Sequence, residues 1–479
     1  MPKPNKSARK AIKRVAKKPA RKAAKRAKAP VKKVFTVEEM LAKANRPKQL
    51  ALAYHPFYQG KIEVVPKCAI RNFDDFAIWY TPGVAEPCKL INKDVQESFR
   101  QTNRWNTIAV VSDGTRVLGL GDIGPEAGMP VMEGKSLLFK YLGGVDAFPL
   151  CIGTKDPEKI IEFVKLLQPS VGGINLEDIS KPKCFYILDR LRKECTIPVW
   201  HDDQQGTATI VTAGLINAAK IVGKKLPEMK IAMVGAGAAN IAIGRVIVAA
   251  GVTKKNIIMV DSKGILHPGR TDIDPKVDPT KWDMCINSNA EGATGTMHDA
   301  LKGADALLAA SKPGPGTVKP EDIRVMADKS IVFATANPIP EIWPWEANEA
   351  GAYIMATGRS DFPNQVNNSL GFPGIFRGTL DVRAMTITDE MCIAAANELA
   401  KTAADKGLSR EYIVPSMSEW EVFPREAVAV GMKAIEQGIA RIKPTRQELM
   451  ERAESIIRRS RRLTKTMMKT GFIKKPPKV

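Results

Sequence analysis

The segment 230–251 constrains the fold of this chain more than any other part of the sequence. Its residues, KIAMVGAGAANIAIGRVIVAAG, predict a buried strand, a turn at Gly235 and Gly237, and an apolar helix that stops at Gly251. Gly235 permits a tight turn, and Gly237 lets a pyrophosphate approach the helix N-terminus, where free N–H groups favour anions. Asn240 stands where this pattern has its third glycine, which leaves close helix packing at that turn in doubt.

The residues after the next predicted strand bear on which dinucleotide would bind. This strand, NIIMVD, ends at Asp261. An acid about 20 residues after the glycine turn typically bonds the adenosine ribose hydroxyls. Asp261 alone favours NAD, whereas Ser262 and Lys263 could bind a 2′-phosphate, so NAD and NADP both stay open with a slight preference for NADP. A glycine-rich turn of any α/β protein, with a solvated Lys263, is the alternative interpretation.

Strands and helices are predicted to alternate in two series. In the first, apolar runs and helix-length segments are Ile108–Val111, Val117–Leu120, Phe148–Ile152, Pro157–Leu167, Pro182–Cys195 and Pro198–Trp200. In the second, the strand candidates are Ile231–Val234, Ile257–Val260, Ala306–Ala309, Ile331–Ala334 and Tyr353–Met355. This spacing predicts an α/β protein with a mostly parallel, doubly wound sheet in its second half. A helix at Gln205–Gly223 is expected to mark the boundary, giving domains at 34–204 and 205–440.

The net charge of +22 is concentrated at the two ends of the chain. Residues 1–33 contain 15 Lys or Arg and no acid, and residues 441–479 contain 13 Lys or Arg against three Glu. Residues 34–440 are therefore nearly neutral. We expect residues 1–33 to be a disordered basic tail and 441–479 a basic C-terminal tail. Either tail could bind nucleic acid or another polyanion, or be a solvated extension without function.

Cysteine and histidine usage argues against a thiolate or imidazole metal site. The seven cysteines form no C-x-x-C pair, and the four histidines show no H-x-x-x-H spacing. Carboxylates are better candidates: Glu177 and Asp178 follow one predicted strand, and Asp203 follows another. Their oxygens suit a hard cation such as Mg²⁺ or Mn²⁺. A single acidic pair is more often a helix cap or a solvated loop, but two acidic clusters at neighbouring strand ends make that interpretation weaker.

Several long segments, in order, resemble the malic enzyme family over residues 50–440. They are AIWYTPGVAEP at 77–87, RVLGLGDIGPEAGMPVMEGK at 116–135, NLEDISKP at 175–182, WHDDQQGT at 200–207, ATANPIPEI at 334–342 and TGRSDFPNQVNNSLGFPGIFRG at 357–378. The resemblance implies an N-terminal malic domain followed by a Rossmann-like NAD(P)-binding domain, with the active site in the cleft between them. It also implies metal-dependent oxidation and decarboxylation of malate to pyruvate.

The resemblance assigns a role to each candidate site residue. It makes Lys135 the base that takes the malate hydroxyl proton, and a metal together with another cation nearby can lower the pKa of such a lysine into the range of a general base. It makes Tyr80 the acid that protonates enolpyruvate. Arg116, Asn337 and Asn368 would contact the substrate, and Asn337 also the nicotinamide nucleotide. The metal ligands would be Glu177, Asp178 and Asp203, with Asp202 as a partner of the base.

The family also implies a homodimer or larger assembly, and the sequence leaves open whether Tyr80 acts in its own subunit or a neighbour's. The cysteine usage fits a reducing compartment, so we expect a cytoplasmic enzyme. Two other functions are weighed. A 2-hydroxy-acid dehydrogenase without decarboxylation would need a catalytic histidine, and only His201 lies in the motif segments. The alternative of an inactive enzyme fold that binds polyanions conflicts with the complete set of candidate catalytic residues.

Overall fold

Two parallel sheets organise the part of the chain that carries the motifs. The computed structural model describes residues 36–479, apart from the side chains of residues 37 and 43. The predicted disordered tail at 1–33 lies outside the described residues. Residues 52–479 form one compact unit, and 36–51 belong to a separate one. No helix within 36–479 is both long and apolar enough to cross a lipid bilayer.

The first sheet has four parallel strands in the order β2-β1-β3-β4. Its central strand, β1, is buried along its whole length and pairs Ala109 with Phe148 on one side and with Ile174 on the other. The run Val117–Leu120, predicted as a strand, is instead a turn closed by a single bridge between Val117 and Gly121. Glycines at 119 and 121 favour the turn over an extended run. The strands are β1 (Thr107–Ser112), β2 (Asp146–Cys151), β3 (Gly173–Leu176) and β4 (Val199–His201).

The second sheet has six strands in the order β10-β9-β8-β5-β6-β7. All pairs are parallel except β6 with β7, which pair Val260 antiparallel to Ile265. The chain passes from β5 to β6 on one side and later returns to β8 on the other, so the order reverses beside β5. Open sheets bind ligands at such a reversal. The strands are β5 (Ile231–Val234), β6 (Ile257–Asp261), β7 (Gly264–Ile265), β8 (Ala306–Ala309), β9 (Ile331–Ala334) and β10 (Ile354–Thr357).

Helices cover the sheets and connect them. The predicted boundary helix is present, and almost every residue of α8 is buried because it is packed within the core. The described helices are α1 (Val37–Tyr58), α2 (Asp75–Trp79), α3 (Ala85–Lys93), α4 (Ser98–Gln101), α5 (Pro125–Gly143), α6 (Pro157–Leu167), α7 (Lys183–Glu194), α8 (Thr207–Val222), α9 (Ala238–Ala249), α10 (Pro279–Asn287), α11 (Met297–Leu301), α12 (Pro320–Arg324), α13 (Pro344–Glu349), α14 (Phe372–Asp381), α15 (Asp389–Lys406), α16 (Val422–Glu436) and α17 (Arg446–Thr470).

The C-terminal segment 441–479 differs from the predicted tail. Its helix α17 begins at a capping box formed by Thr445 and Glu448. One face, with Leu449, Ala453 and Ile457, is fully buried, and the Ser460 hydroxyl donates to the Lys140 carbonyl at 2.7 Å. Apolar residues recur there at helical spacing, and this periodicity outweighs the basic composition. The segment therefore contributes a packed helix to the folded unit.

Candidate active site

Four carboxylates meet where two neighbouring strands end. β3 and β4 are parallel, and Leu176 pairs with His201 as the last residue of each. Glu177 and Asp178 follow β3 directly, and Asp202 and Asp203 follow β4. The chain after β4 turns at once into a five-residue π-helix, Asp202–Gly206, which leads into α8. Because β3 and β4 end at paired residues, the two acidic pairs lie together at one edge of the sheet.

Three of these acids have the geometry of a cation site. One ligand oxygen each from Glu177, Asp178 and Asp203 lie within 4.8 Å of one another. The Asp178 backbone N–H donates to Asp203 Oδ2 at 2.9 Å, and Asp178 has a left-handed φ of 55°. Asp178 Oδ2 is buried without a hydrogen-bond partner among the described residues. An unpaired buried carboxylate oxygen inside such a set fits a hard divalent cation.

The pKa values of these acids reflect the crowding of negative charge. Burial and the neighbouring Asp203 together raise the pKa of Asp178 to about 8, although Lys135 acts to lower it. Burial likewise raises the pKa of Glu177, and Asp202 and Asp203 add to this rise. Without a cation the site therefore holds protons at neutral pH, and a bound cation would displace them.

Lys135 carries a positive charge into this acidic cluster. Its side chain is 7% exposed, and its Nζ lies 2.6 Å from Asp202 Oδ2 and 3.1 Å from Glu177 Oε1. Burial acts to lower the pKa of Lys135, but Asp202 and Glu177 outweigh it and the pKa is raised above its ordinary value. The nearest charges are these carboxylates, and the lowered pKa expected for Lys135 beside a metal ion and another cation stays a prediction.

Three residues that the sequence motifs did not single out support the Lys135–Asp202 pair. The Phe372 ring lies 4.3 Å from Lys135 Nζ, and Trp200 Nε1 donates to Asp202 Oδ1 at 3.3 Å. The Asn175 side-chain amide donates to Glu177 Oε2 at 2.9 Å. All three lie within the resembling segments, but nothing in their spacing indicates these contacts, which depend on the tertiary fold.

The three predicted substrate-binding residues, Arg116, Asn337 and Asn368, lie in different surroundings. Asn368 is half-buried and its amide donates to Asp202 Oδ2, so it belongs to the Lys135 cluster. Arg116 lies beside the acids, because its backbone N–H donates to the Asp178 carbonyl at 3.0 Å while its side chain is exposed. Asn337 is half-buried, and its carbonyl oxygen and amide lie close to Gly119 and Gly358 respectively. Arg116 and Asn368 therefore contact the acidic pairs, and Asn337 lies between two motif loops.

Tyr80 is set apart from the cluster. Its side chain is 72% exposed, and no hydrogen bond joins its hydroxyl to another residue within 36–479. Neighbouring apolar side chains are also exposed, including Phe73 at 89% and Val64 at 81%. The single chain thus presents Tyr80 among exposed apolar side chains, and no hydrogen bond joins it to Lys135 within residues 36–479.

The predicted nucleotide turn has an open anion-binding geometry. Gly235 has a φ of 100°, and an added Cβ there would lie 2.6 Å from the Ala310 carbonyl oxygen. Nothing lies within 4 Å of a Cβ added at Gly237, the residue that caps α9. The buried Asn240 amide donates to the carbonyls of Val234 and Gly235, both at 2.8 Å. Asn240 thereby braces the turn, and the backbone at Gly237 stays accessible to a pyrophosphate.

Asp261 and Lys263, which were expected to select the cofactor, form ion pairs that the sequence did not indicate. Asp261 Oδ2 is 2.9 Å from Arg270 Nη2 and 2.5 Å from Lys281 Nζ. Lys263 Nζ is exposed and pairs with Asp272 at 2.9 Å, and Ser262 is exposed. Arg270 and Lys281, distant in sequence from the glycine turn, therefore offset the negative charge of Asp261.

The position of His201 bears on the alternative of a histidine-dependent dehydrogenase. His201 is fully buried, and neither ring nitrogen has a hydrogen-bond partner in the described part of the chain. Burial lowers its pKa to about 4, so the ring is neutral. Its Nδ1 lies 3.6 Å from Asp203 Oδ2, and a neutral buried ring without a hydrogen-bond partner does not suit a general base at a substrate site.

The fold and site define a class of protein: an α/β protein with two mostly parallel sheets, a glycine turn before a helix, and a cluster of three carboxylates beside a buried lysine. Residues 59–192 match the family described as "Malic enzyme, N-terminal domain", and residues 204–435 match "Malic enzyme, NAD binding domain". The chain belongs to the malic enzyme family. This confirms the fold class and the enzyme family expected from the sequence.

Named relatives agree with this assignment. The NAD-dependent malic enzyme of Geobacillus stearothermophilus is 50% identical, over 80% of this chain and 78% of that protein. The NADP-dependent malic enzyme of Escherichia coli is 44% identical, over 82% of this chain and 53% of that protein. The crystal structure of Entamoeba histolytica malic enzyme superposes with a TM-score of 0.90 at 48% identity and covers 93% of each chain.

Proposed function

We propose that this chain oxidises malate and decarboxylates it to pyruvate and CO₂, with reduction of NAD or NADP and with Mg²⁺ or Mn²⁺ at the acidic site. The observation that carries this proposal is the buried contact of Lys135 with Asp202 and Glu177, next to the three-carboxylate site. Over the whole reaction malate gives a hydride to the nicotinamide, its hydroxyl proton to a base and C4 as CO₂, and it takes up one proton at C3, which leaves pyruvate.

Lys135 is the proposed acceptor of the hydroxyl proton. Glu177, Asp178 and Asp203 would hold a divalent cation, which would offset two of their three negative charges and polarise the oxygens bound to it. Asp202 then remains as the main carboxylate partner of Lys135, at 2.6 Å. Loss of the attraction to Glu177 allows the buried amine to release its proton, because burial by itself disfavours the charged form.

The remaining roles follow the polarity and placement of each side chain. Arg116 is proposed to bind a malate carboxylate, for which a planar guanidinium is suited. Asn368 and Asn337 are proposed to contact malate and the nicotinamide ribose. Tyr80 is proposed to donate a proton to C3 of enolpyruvate after CO₂ leaves, which completes pyruvate.

A homodimer is proposed to complete the site. The segment 57–95 exposes many large apolar side chains, a burden for an isolated subunit in water. Tyr80 lies in the middle of this surface. Pairing of two copies through it would bury the apolar residues and could bring each Tyr80 to the other subunit's Lys135 cluster.

NADP is proposed as the preferred cofactor over NAD. Lys263 is exposed beside Asp261, whose charge is balanced by Arg270 and Lys281. A 2′-phosphate at this position would meet more cations than acids, which offsets the repulsion expected from Asp261 alone.

The enzyme is proposed to act in the cytoplasm.

Residues 1–33 are proposed to bind polyanions. Deletion of residues 1–33 is expected to leave malate turnover unchanged and to lower retention on heparin at low salt. Truncation of the C-terminal extension after Thr470 as well serves as a control for the remaining lysines. Equal retention of full-length and doubly truncated protein would refute the binding role.

The proposed reaction is tested by measuring all of its products. Malate, Mn²⁺ and NAD or NADP are expected to give NAD(P)H, pyruvate and CO₂ in equal amounts. Formation of NAD(P)H with oxaloacetate but no pyruvate would instead identify a simple dehydrogenase. Absence of NAD(P)H with both cofactors would indicate an inactive enzyme fold.

A further inference from the structure

Three arginines surround one buried aromatic ring at a place outside the proposed active site. The Phe99 ring, 4% exposed, has the guanidinium carbon of Arg104 at 4.3 Å, of Arg383 at 5.4 Å and of Arg441 at 5.9 Å from its centroid. Such contacts hold cations against the face of an aromatic ring. They fix three like charges within a small volume.

Two further arginines adjoin this group, and the nearby carboxylates are already engaged. Arg100 pairs with Glu97 at 2.8 Å, and Arg452 pairs with Asp381 at 2.9 Å. Asp381 is also bound by the buried Arg377 at 2.8 Å. We call Arg100, Arg104, Arg383, Arg441 and Arg452 the Phe99 arginine cluster. Its positive charges exceed the negative charges that accompany it.

Two members of the cluster have structural partners. Arg104 donates to the carbonyls of Val171 at 3.2 Å and Gln168 at 2.9 Å. Arg441 donates to the Arg383 carbonyl at 3.2 Å and to the Thr196 carbonyl. These hydrogen bonds give Arg104 and Arg441 a structural role that does not require a bound anion.

No hydrogen bond of this kind holds the side chain of Arg383. Its guanidinium forms no ion pair and no hydrogen bond with any residue of 36–479, although the side chain is half-buried. Its backbone has a left-handed φ of 50°, which is uncommon for a residue with a Cβ. Burial lowers the pKa of Arg383, and Arg452 and Arg100 lower it further by repulsion, whereas Glu97 acts to raise it. A strained, half-buried and unpaired cation is the kind of feature that an anion would satisfy.

The cluster lies at the far end of a helix that begins at the active site. Phe372, at the start of α14, contacts Lys135, whereas Asp381 ends the helix and Arg383 follows it. Ten helical residues span about 15 Å. An anion at Arg383 would therefore not occupy the malate or metal position.

We propose that the Phe99 arginine cluster binds a phosphate-bearing anion, with Arg383 as its principal contact and Arg452 and Arg100 at its edge. Guanidinium groups match phosphate oxygens with two parallel hydrogen bonds, which Lys cannot reproduce. The phosphate could belong to a small phosphate ester or to a nucleic acid backbone, which share this chemistry.

Calorimetric titration of the full-length protein in metal-free buffer distinguishes these sources. The two probes are pyrophosphate, which represents a small phosphate ester, and a duplex DNA of about 20 base pairs, which represents a nucleic acid backbone. The variant is Arg383→Gln. The matched control is Arg324→Gln, which removes the same charge from an exposed arginine of α12. Arg383→Lys keeps the charge and removes the paired geometry, and circular dichroism checks that each variant is folded.

Arg383→Gln is expected to weaken pyrophosphate binding by about tenfold, the size of one charge-assisted hydrogen bond, with Arg383→Lys in between and Arg324→Gln unchanged. A loss confined to the duplex would support the same site with a nucleic acid backbone as the source. Equal affinities of wild type, Arg383→Gln and Arg324→Gln for both probes would overturn the proposal, as would a wild type that binds neither probe.

Discussion

Lys135 Nζ lies 2.6 Å from Asp202 Oδ2, and both side chains are buried at the point where two parallel strands end. The pair joins helix α5 to the chain that follows β4. The contact couples the proposed base to the acidic pairs, because Glu177 is a second partner of Lys135 at 3.1 Å. The negative charge of these acids therefore acts to raise the pKa of Lys135.

Lys135→Ala is expected to reduce malate oxidation by about 10²- to 10⁴-fold, the usual contribution of general acid–base catalysis. Mn²⁺ affinity should not fall, because the change removes a competing cation beside Glu177. Steady-state rates and Mn²⁺ titration check this, with the exposed Lys155→Ala as the control. Near-normal oxidation by Lys135→Ala would exclude Lys135 as the base.

Mixed dimers test whether Tyr80 acts on the partner subunit. Tyr80→Phe and Lys135→Ala subunits, each with low activity alone, are expected to regain activity when co-expressed. A dimer of the two would contain one site with both intact residues and one site with neither. Recovery approaching half of the wild-type rate per mixed dimer supports action in trans, whereas no recovery places Tyr80 with its own Lys135.

Lys263→Ala is expected to raise the KM for NADP by about tenfold and to leave that for NAD unchanged, because a charged hydrogen bond to phosphate contributes about 1.5–3 kcal/mol. Initial rates with both cofactors provide the measurement. Lys255→Ala, an exposed lysine before β6, controls for loss of one charge. An equal effect of Lys263→Ala on both cofactors would argue against a 2′-phosphate contact.

Glu426 is expected to make stability depend on pH. It is fully buried, neither oxygen has a hydrogen-bond partner among the described residues, and burial raises its pKa well above the ordinary value. In unfolded protein the carboxyl ionises near pH 4.3. Folding must then take up a proton at higher pH, so stability falls as pH rises from this value towards the folded pKa.

Glu426→Gln removes this penalty. The variant should match wild type in thermal stability near pH 4.5 and exceed it progressively towards pH 7.5, by about 1.4 kcal/mol for each unit of pKa difference that the pH has crossed. Thermal unfolding across this range provides the test, with the exposed Glu321→Gln as control. A difference between Glu426→Gln and wild type that does not change with pH would show that Glu426 is ionised in the folded protein.

The regular elements were more predictable than the contacts between them. Strands such as Ile231–Val234 and Ile331–Ala334, and the helix Pro157–Leu167, have the predicted bounds, because short apolar runs and helical periodicity are local signals. The run Val117–Leu120 failed as a strand because its glycines favour a turn. In α17 the basic composition concealed an apolar face, which only the spacing of Leu449, Ala453 and Ile457 indicates.

The proximity of the acidic residues was predictable from the sequence, but the electrostatics around them were not. The acids after β3 and β4 follow strand ends, so their proximity could be inferred from the pattern of a parallel sheet. The ring of Phe372 over Lys135, and Arg270 and Lys281 around Asp261, depend on packing between distant segments. The sign of the Lys135 pKa shift depends on the same packing, since it is set by two carboxylates within 3.1 Å.

The measurement that tests the central claim most directly is Mn²⁺ binding, followed by electron paramagnetic resonance, in wild type and Asp203→Ala. Wild type is expected to bind one Mn²⁺ per subunit, more weakly below about pH 8 because protons compete for the acids, including Asp178. Asp203→Ala should lose more than about 100-fold in affinity, since even outer partners of a metal contribute 10- to 100-fold. Asp122→Ala, an exposed control, should bind as wild type does. Unchanged Mn²⁺ affinity and metal-dependent activity in Asp203→Ala would contradict the assignment of Glu177, Asp178 and Asp203 as the metal site.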